Sequence, residues 1–266
     1  MTGRSDFPGV HGERWTRMVR EVLRGARERV KPAPEAPSCR VGRSVGHPPQ
    51  LMFKSDVFDR TDTPENEISA SLYNFIIGAV LLWGFFVTAV VQHQFANVQF
   101  GWPLMIGYIV SSLIGLFLAR SQNALLSLLG YHFIVIPTGV MLGPLVNSLS
   151  PQVLQNTLFL TGGVTCGMMS LGTAFPAFFA KIGRALFFSL LALIVVSLLS
   201  MFFFPGAYTV IDYVAAGIFS LYIAYDYARA QSIPKTMDNA VDVCIALYLD
   251  IINLFIRLAS ILSRRD

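Results

Sequence analysis

Hydrophobic and polar positions divide the chain into two unlike parts. Residues 1–67 mix charged residues with Pro and Gly, whereas Ile68–Ala119, Ser121–Ala180 and Ala185–Ile211 contain no Asp, Glu, Lys or Arg. A helix needs ~20 mostly apolar residues to cross ~30 Å of hydrocarbon, so the first two runs each hold two crossings and the third holds one. Turn and polar residues at His93–Gln99, Ser121–Asn123, Asn147–Pro151, Lys181–Arg184, Pro205–Gly206 and Ser232–Asp238 mark the breaks. They predict spans near Ser71–Val91, Pro103–Ala119, Ala124–Val146, Val153–Phe175, Ala185–Phe204, Tyr208–Tyr227 and Asn239–Leu262. The fold class that follows is an all-α integral membrane protein, a seven-transmembrane-helix bundle over residues 68–266 behind a polar, disordered N-terminal segment over 1–67. Short connections make sequential helices neighbours.

Composition sharpens this picture. Apolar residues make up 54% and charged residues 14%, against ~25% charged in a soluble domain, so lipid is the bulk solvent. Residues 1–67 hold 12 of the 20 Lys and Arg and 10 of the 16 Asp and Glu. The net charge of +4 therefore resides in a mixed-charge tail and short loops, which suits a membrane surface and not nucleic acid. Within the tail, Glu13–Val30 has the pattern of a transient amphipathic helix, and four Glu residues argue against a transit peptide. Met52-Phe53-Lys54-Ser55-Asp56 resembles an ordinary membrane-protein start, and a further reading of 1–51 is an upstream start-site extension.

Loop charges orient the bundle. Arg120, Lys181, Arg184, Arg229 and Lys235 fall in alternate loops, which places those loops and the N-terminus in the cytoplasm. Arg264 and Arg265 are the exception, unless the last helix dips into the membrane and returns. Cysteine use and the lack of a cleavable signal fit a bacterial inner membrane. Cys39, Cys166 and Cys244 form no metal or redox motif and are expected to pack inertly. Gly139 with Gly143, and Gly163 with Gly167, have the spacing of close helix packing within one bundle. Pro137, Pro144 and Pro176 are expected to kink or end helices. No HExxH motif or nucleophile elbow is present, no Lys in a span can form a Schiff base, and no internal repeat points to an inverted-repeat transporter. A non-enzymatic protein without a cofactor is expected.

Ionisable residues within lipid are costly, at ~2.5–3.5 kcal/mol on insertion scales, and usually face protein or a water-filled path. Asp250 lies midway along the last span, with Asn253 and Arg257 on the same helix face at i+3 and i+7. Asp226 lies near the end of the sixth, and the antiparallel sixth and seventh helices can bring the two carboxyls to a similar depth. Two buried carboxylates a few Å apart resist double ionisation, and such a pair can share a proton or hold a hard cation such as Ca²⁺. A structural alternative stands beside this: Asp226 at the interface next to Arg229, and Asp250 in an internal hydrogen bond. Asp238 and Asp242 complement the dipole of the last helix, Asp212 is expected to be hydrated near the other face, and Arg120 is either a partner of Asp226 or a topology anchor. His93 sits at an interface, and His132 is either a satisfied structural histidine or a proton relay.

The stretch Phe219-Ser220-Leu221-Tyr222, Tyr225-Asp226, a short basic linker, and Leu247-Tyr248-Leu249-Asp250-Ile251-Ile252-Asn253-Leu254-Phe255 resembles the signature of the Bax inhibitor-1 family, in a bacterial-type member. In layout the resemblance runs from about Ser55 to Leu262. It implies a seven-helix bundle with the last helix near its centre, and a di-aspartyl sensor at Asp226 and Asp250. It also implies a pH-sensitive Ca²⁺ leak channel, with calcium ions and protons as partners alongside the lipid bilayer. Bacterial members are linked to modulation of a membrane-bound protease, which supplies the alternative of a non-enzymatic regulator of a protease or assembly complex. Arg120 matches by place an Arg described as a partner of the sensor. The linker Ala228–Met237, with Tyr227-Ala228-Arg229-Ala230, departs from the family's usual pattern.

Overall fold

A computed structural model of the chain describes residues 67–264 apart from 100, 122, 204, 205 and 207. The expectations for the N-terminal segment, for the turn at Pro205 and for Arg265 lie outside the described residues. Among the described residues seven helices follow one another: α1 Ala70–Gln94, α2 Trp102–Leu118, α3 Ala124–Ser148, α4 Pro151–Ala174, α5 Pro176–Phe203, α6 Tyr208–Ala230 and α7 Met237–Ser263. No strand occurs among the described residues.

Local chemistry sets several of the starts. Ser69, Asn123, Ser150 and Thr236 cap α1, α3, α4 and α7 by accepting from the backbone N–H groups of Leu72, Leu125, Val153 and Asn239. Pro151 and Pro103 sit in first turns, where a missing N–H costs nothing. Five helices, α1, α3, α5, α6 and α7, are long and apolar enough to cross a membrane. The 17-residue α2 is shorter, and α4 is long enough but carries Gln152, Gln155, Asn156 and four threonines. Large side chains such as Leu82 and Phe117 point outward at 71% and 73% exposure, as a lipid-facing surface requires.

One expected break is absent. Lys181 and Arg184 lie inside α5, and Phe175 alone separates α4 from α5. Both basic residues are exposed in the first turns of that helix, where long side chains can reach the interface without a loop. Pro137 and Pro144 sit within a continuous α3, while Pro176 opens α5 as expected.

The last helix forms the centre of the bundle. α7 packs on α1, α3, α4 and α6, whereas α2 packs on α3, and α5 mainly on α6. Leu247, Tyr248, Cys244 and Leu254 are almost wholly enclosed. Because lipid tails are as apolar as leucine, close fit and not hydrophobic transfer holds such helices together. Gly139 and Gly143 supply that fit between α3 and α1: a Cβ on either would run into Val91 or Phe95. A Cβ on Gly172 would likewise collide with the Ala224 carbonyl, which locks α4 to α6. Gly163 and Gly167 do not behave as their spacing suggests, since a Cβ on either would meet nothing within 4 Å. They face out of the bundle, and Cys166 beside them is exposed, not packed.

Candidate functional site

The two sequence-predicted acids meet. Asp226, four residues before the end of α6, and Asp250, near the midpoint of α7, are side-chain hydrogen-bond partners. A carboxylate only accepts, so this bond requires one of the two groups to carry the proton. Asp250 is 8% exposed, and its Oδ2 is buried with no hydrogen-bond partner. Arg229, one turn beyond Asp226, is the cation that acts on it electrostatically. Tyr222, one turn before, lies within the field of both carboxyls and edge-on to Tyr225. In the sequence Tyr222 stands out only as part of the family motif. Its i−4 relation to Asp226 was the available signal.

The other predicted residues are distributed elsewhere. Arg120 is exposed at the end of α2, and no ion pair joins it to Asp226 among the described residues. Asn253 returns its amide N–H to the Leu249 carbonyl at 2.8 Å, and borders a cavity of about 490 Å³ with Thr138 and Tyr108 of α3 and α2. Arg257 donates to Asp212 Oδ1 at 2.9 Å. The polar stripe on α7 thus serves three settings, because its neighbours differ at each turn.

Asp212 corrects an expectation. Instead of being hydrated it is 4% exposed, and its Oδ2 accepts from Ser260 Oγ at 2.8 Å and from the Arg264 guanidinium at 2.5 Å. Arg264 also donates to Thr209 Oγ1 at 3.0 Å. Burial of a lone acid is unfavourable, and two arginines from α7 offset it here. Spacing did not reveal this cluster because its members are ~45–50 residues apart and meet only when α6 and α7 run antiparallel.

Several other polar groups are paired within the bundle. Trp83 Nε1 donates to His132 Nε2 at 3.0 Å, and His132 Nδ1 lies 2.8 Å from the Leu128 carbonyl, which makes His132 a structural link between α1 and α3. Asp238 begins α7 as expected and accepts from Ser127 Oγ of α3 at 2.9 Å. Thr88 of α1 and Tyr248 of α7 share a hydrogen bond of 2.6 Å. The linker between α6 and α7 is tied to α1 by Ile68 N–H to the Lys235 carbonyl at 2.8 Å and by Gln231 to Asn74 at 3.0 Å.

No group of three or more His, Cys, Asp or Glu able to hold a metal occurs among the described residues. Two carboxyls supply at most four of the six to eight oxygens that Ca²⁺ takes, so the pair can contact such an ion but does not enclose it.

The chain is similar to several bacterial proteins and to a plant protein. The chain is 31% identical over 197 residues to an uncharacterized protein of Helicobacter pylori strain J99, covering 72% of this chain and 84% of that one. It is 31% identical over 159 residues to an uncharacterized membrane protein of Vibrio cholerae, covering 56% and 70% of the two chains. A BI1-like protein of Arabidopsis thaliana is 39% identical over 92 residues, 33% of this chain and 35% of that one. The family model described as "Inhibitor of apoptosis-promoting Bax1" matches residues 65–266, which takes in all seven helices, and the chain is a multi-pass membrane protein that belongs to the Bax inhibitor-1 family.

Proposed function

We propose that the protein is a proton-regulated cation leak, permeable to Ca²⁺, in which Asp226 and Asp250 form the switch. The observation that carries this reading is the pairing of two carboxyls across adjacent helices, Asp226 near the end of α6 and Asp250 midway along α7, with one oxygen of Asp250 left unpartnered. With one proton shared, the pair draws α6 and α7 together by ~0.6–2 kcal/mol, the scale of interhelical hydrogen bonds in membranes. With both groups ionised, two like charges ~4 Å apart repel by ~4 kcal/mol at an effective dielectric of ~20. The swing of ~5 kcal/mol approaches the ~5.5 kcal/mol that inverts a two-state population from 1:99 to 99:1.

A hard cation placed between the carboxylates would substitute for the proton. Because the pair gives Ca²⁺ an incomplete shell, the ion is cargo and not a resident cofactor. The activity is non-enzymatic and belongs to a bacterial inner membrane, with the basic ends of the helices and the N-terminus inside.

The test is Ca²⁺ entry into liposomes containing the full chain over roughly pH 5 to 8, with Asp226→Asn and Asp250→Asn alongside. A pH-dependent flux flattened by either substitution supports the switch. Absence of flux above empty liposomes, from folded protein, overturns the leak and leaves a regulator of a membrane protease, to be tested by deleting residues 1–51.

A further inference from the structure

A groove of about 590 Å³ separates α1 from α4 on the outside of the bundle. Its walls are Leu82 and Thr88 of α1 and Leu158, Thr161 and Cys166 of α4, and its floor is formed by Leu142 of α3 with Ile251, Ile252 and Phe255 of α7. No charged residue lines it. Its size lies within the ~300–1,000 Å³ of sites that bury small ligands.

Two features set the groove apart from a simple packing gap. First, its rim is continuous with the lipid-facing surface, since Leu82 is 71% and Leu158 56% exposed, and α1 is long and apolar enough to cross a membrane. Second, the α4 wall withholds its threonine hydroxyls from the groove. Thr157 and Thr173 return their hydroxyls to the carbonyls four residues back, at 2.7 and 3.0 Å. Thr161 and Thr165, the two threonines of α4 that line the groove, keep their Oγ1 atoms buried, so the surface they offer is apolar.

We infer that this groove is a lipid site, occupied by an acyl chain of a phospholipid entering sideways from the bilayer. An apolar trough open to hydrocarbon excludes water and ions, and a flexible chain is the ligand that the surrounding solvent supplies at the highest concentration. The chain would lie on Ile251, Ile252 and Phe255, the turn of α7 immediately after Asp250, and against Phe85, whose ring contacts Tyr248 at 5.5 Å. Binding here does not depend on whether the protein conducts ions.

Gly162 provides a clean probe, because it lines the groove and a Cβ there would meet nothing within 4 Å. Gly163 has equally open surroundings and does not line the groove, so it serves as a matched control. The full chain is placed in nanodiscs of phosphatidylethanolamine and phosphatidylglycerol containing a phospholipid with a diazirine in its acyl chain, irradiated, and digested for mass spectrometry. Crosslinks to the α7 floor, with a several-fold loss in Gly162→Leu and none in Gly163→Leu, are expected. Floor peptides left unlabelled in the wild type, or labelled equally in both variants, would overturn the site. So would rapid reaction of Cys166 with a membrane-impermeant maleimide in intact vesicles, which would show a water-filled groove.

Discussion

The interface between α6 and α7 holds an acid near each end and treats the two in opposite ways. Asp212 is neutralised by Arg257 and Arg264 and tied to Ser260. Asp226, fourteen residues further along α6 and so roughly 20 Å away, is bonded to a second acid. Guanidinium groups keep their charge throughout the physiological range, so the Asp212 end is fixed. On the proposed function, the other end holds together while a proton or a cation is shared. One pair of helices therefore has a permanent clasp and a conditional one, and a change of protonation would open the interface from the conditional end.

The largest expected effect lies at the fixed end. Asp212→Asn removes the counter-charge of Arg257, whose side chain is 30% exposed, and should cost ~2–3 kcal/mol of stability, read as a lower melting temperature of the purified protein in detergent. A loss no greater than that of a surface substitution would remove the contrast. Asp250→Asn should cost less than ~1 kcal/mol in the same assay, because an amide keeps the shape and can donate the bond the shared proton now makes. Its effect should fall on function instead, as the loss of pH dependence of Ca²⁺ flux. Thr88→Val breaks the link to Tyr248 between α1 and α7, and should cost ~0.6–2 kcal/mol without altering the pH profile. Arg264→Gln should cost less than ~1 kcal/mol, since that side chain is 38% exposed and solvent screens it. A larger loss would show that the clasp depends on its outer arginine.

Much of this protein is legible in the order of its residues. Uncharged runs and turn residues place six of the seven helices to within a few positions, because in lipid every backbone group must be satisfied locally. The merging of Lys181 and Arg184 into α5 escaped that logic, since charge near a helix end reads equally well as a loop. The spacing of Asp226 and Asp250 also foretold their meeting, because a short antiparallel connection fixes the register. Glycine spacing was ambiguous, as the same four-residue interval marks a packed face at Gly139 and Gly143 and an open one at Gly163 and Gly167.

The sequence by itself determined the membrane class, the seven helices and the candidate acids. It could do so because hydropathy, capping and motif spacing act over a few turns of one segment. The tertiary structure decided that α7 is enclosed, that Asp212 is clasped by two arginines rather than hydrated, that Arg257 serves Asp212 and not Asp250, and that a groove opens between α1 and α4. Each of these depends on which face of one helix meets which face of another. That choice is made by contacts between residues far apart in the chain, and no local pattern records it.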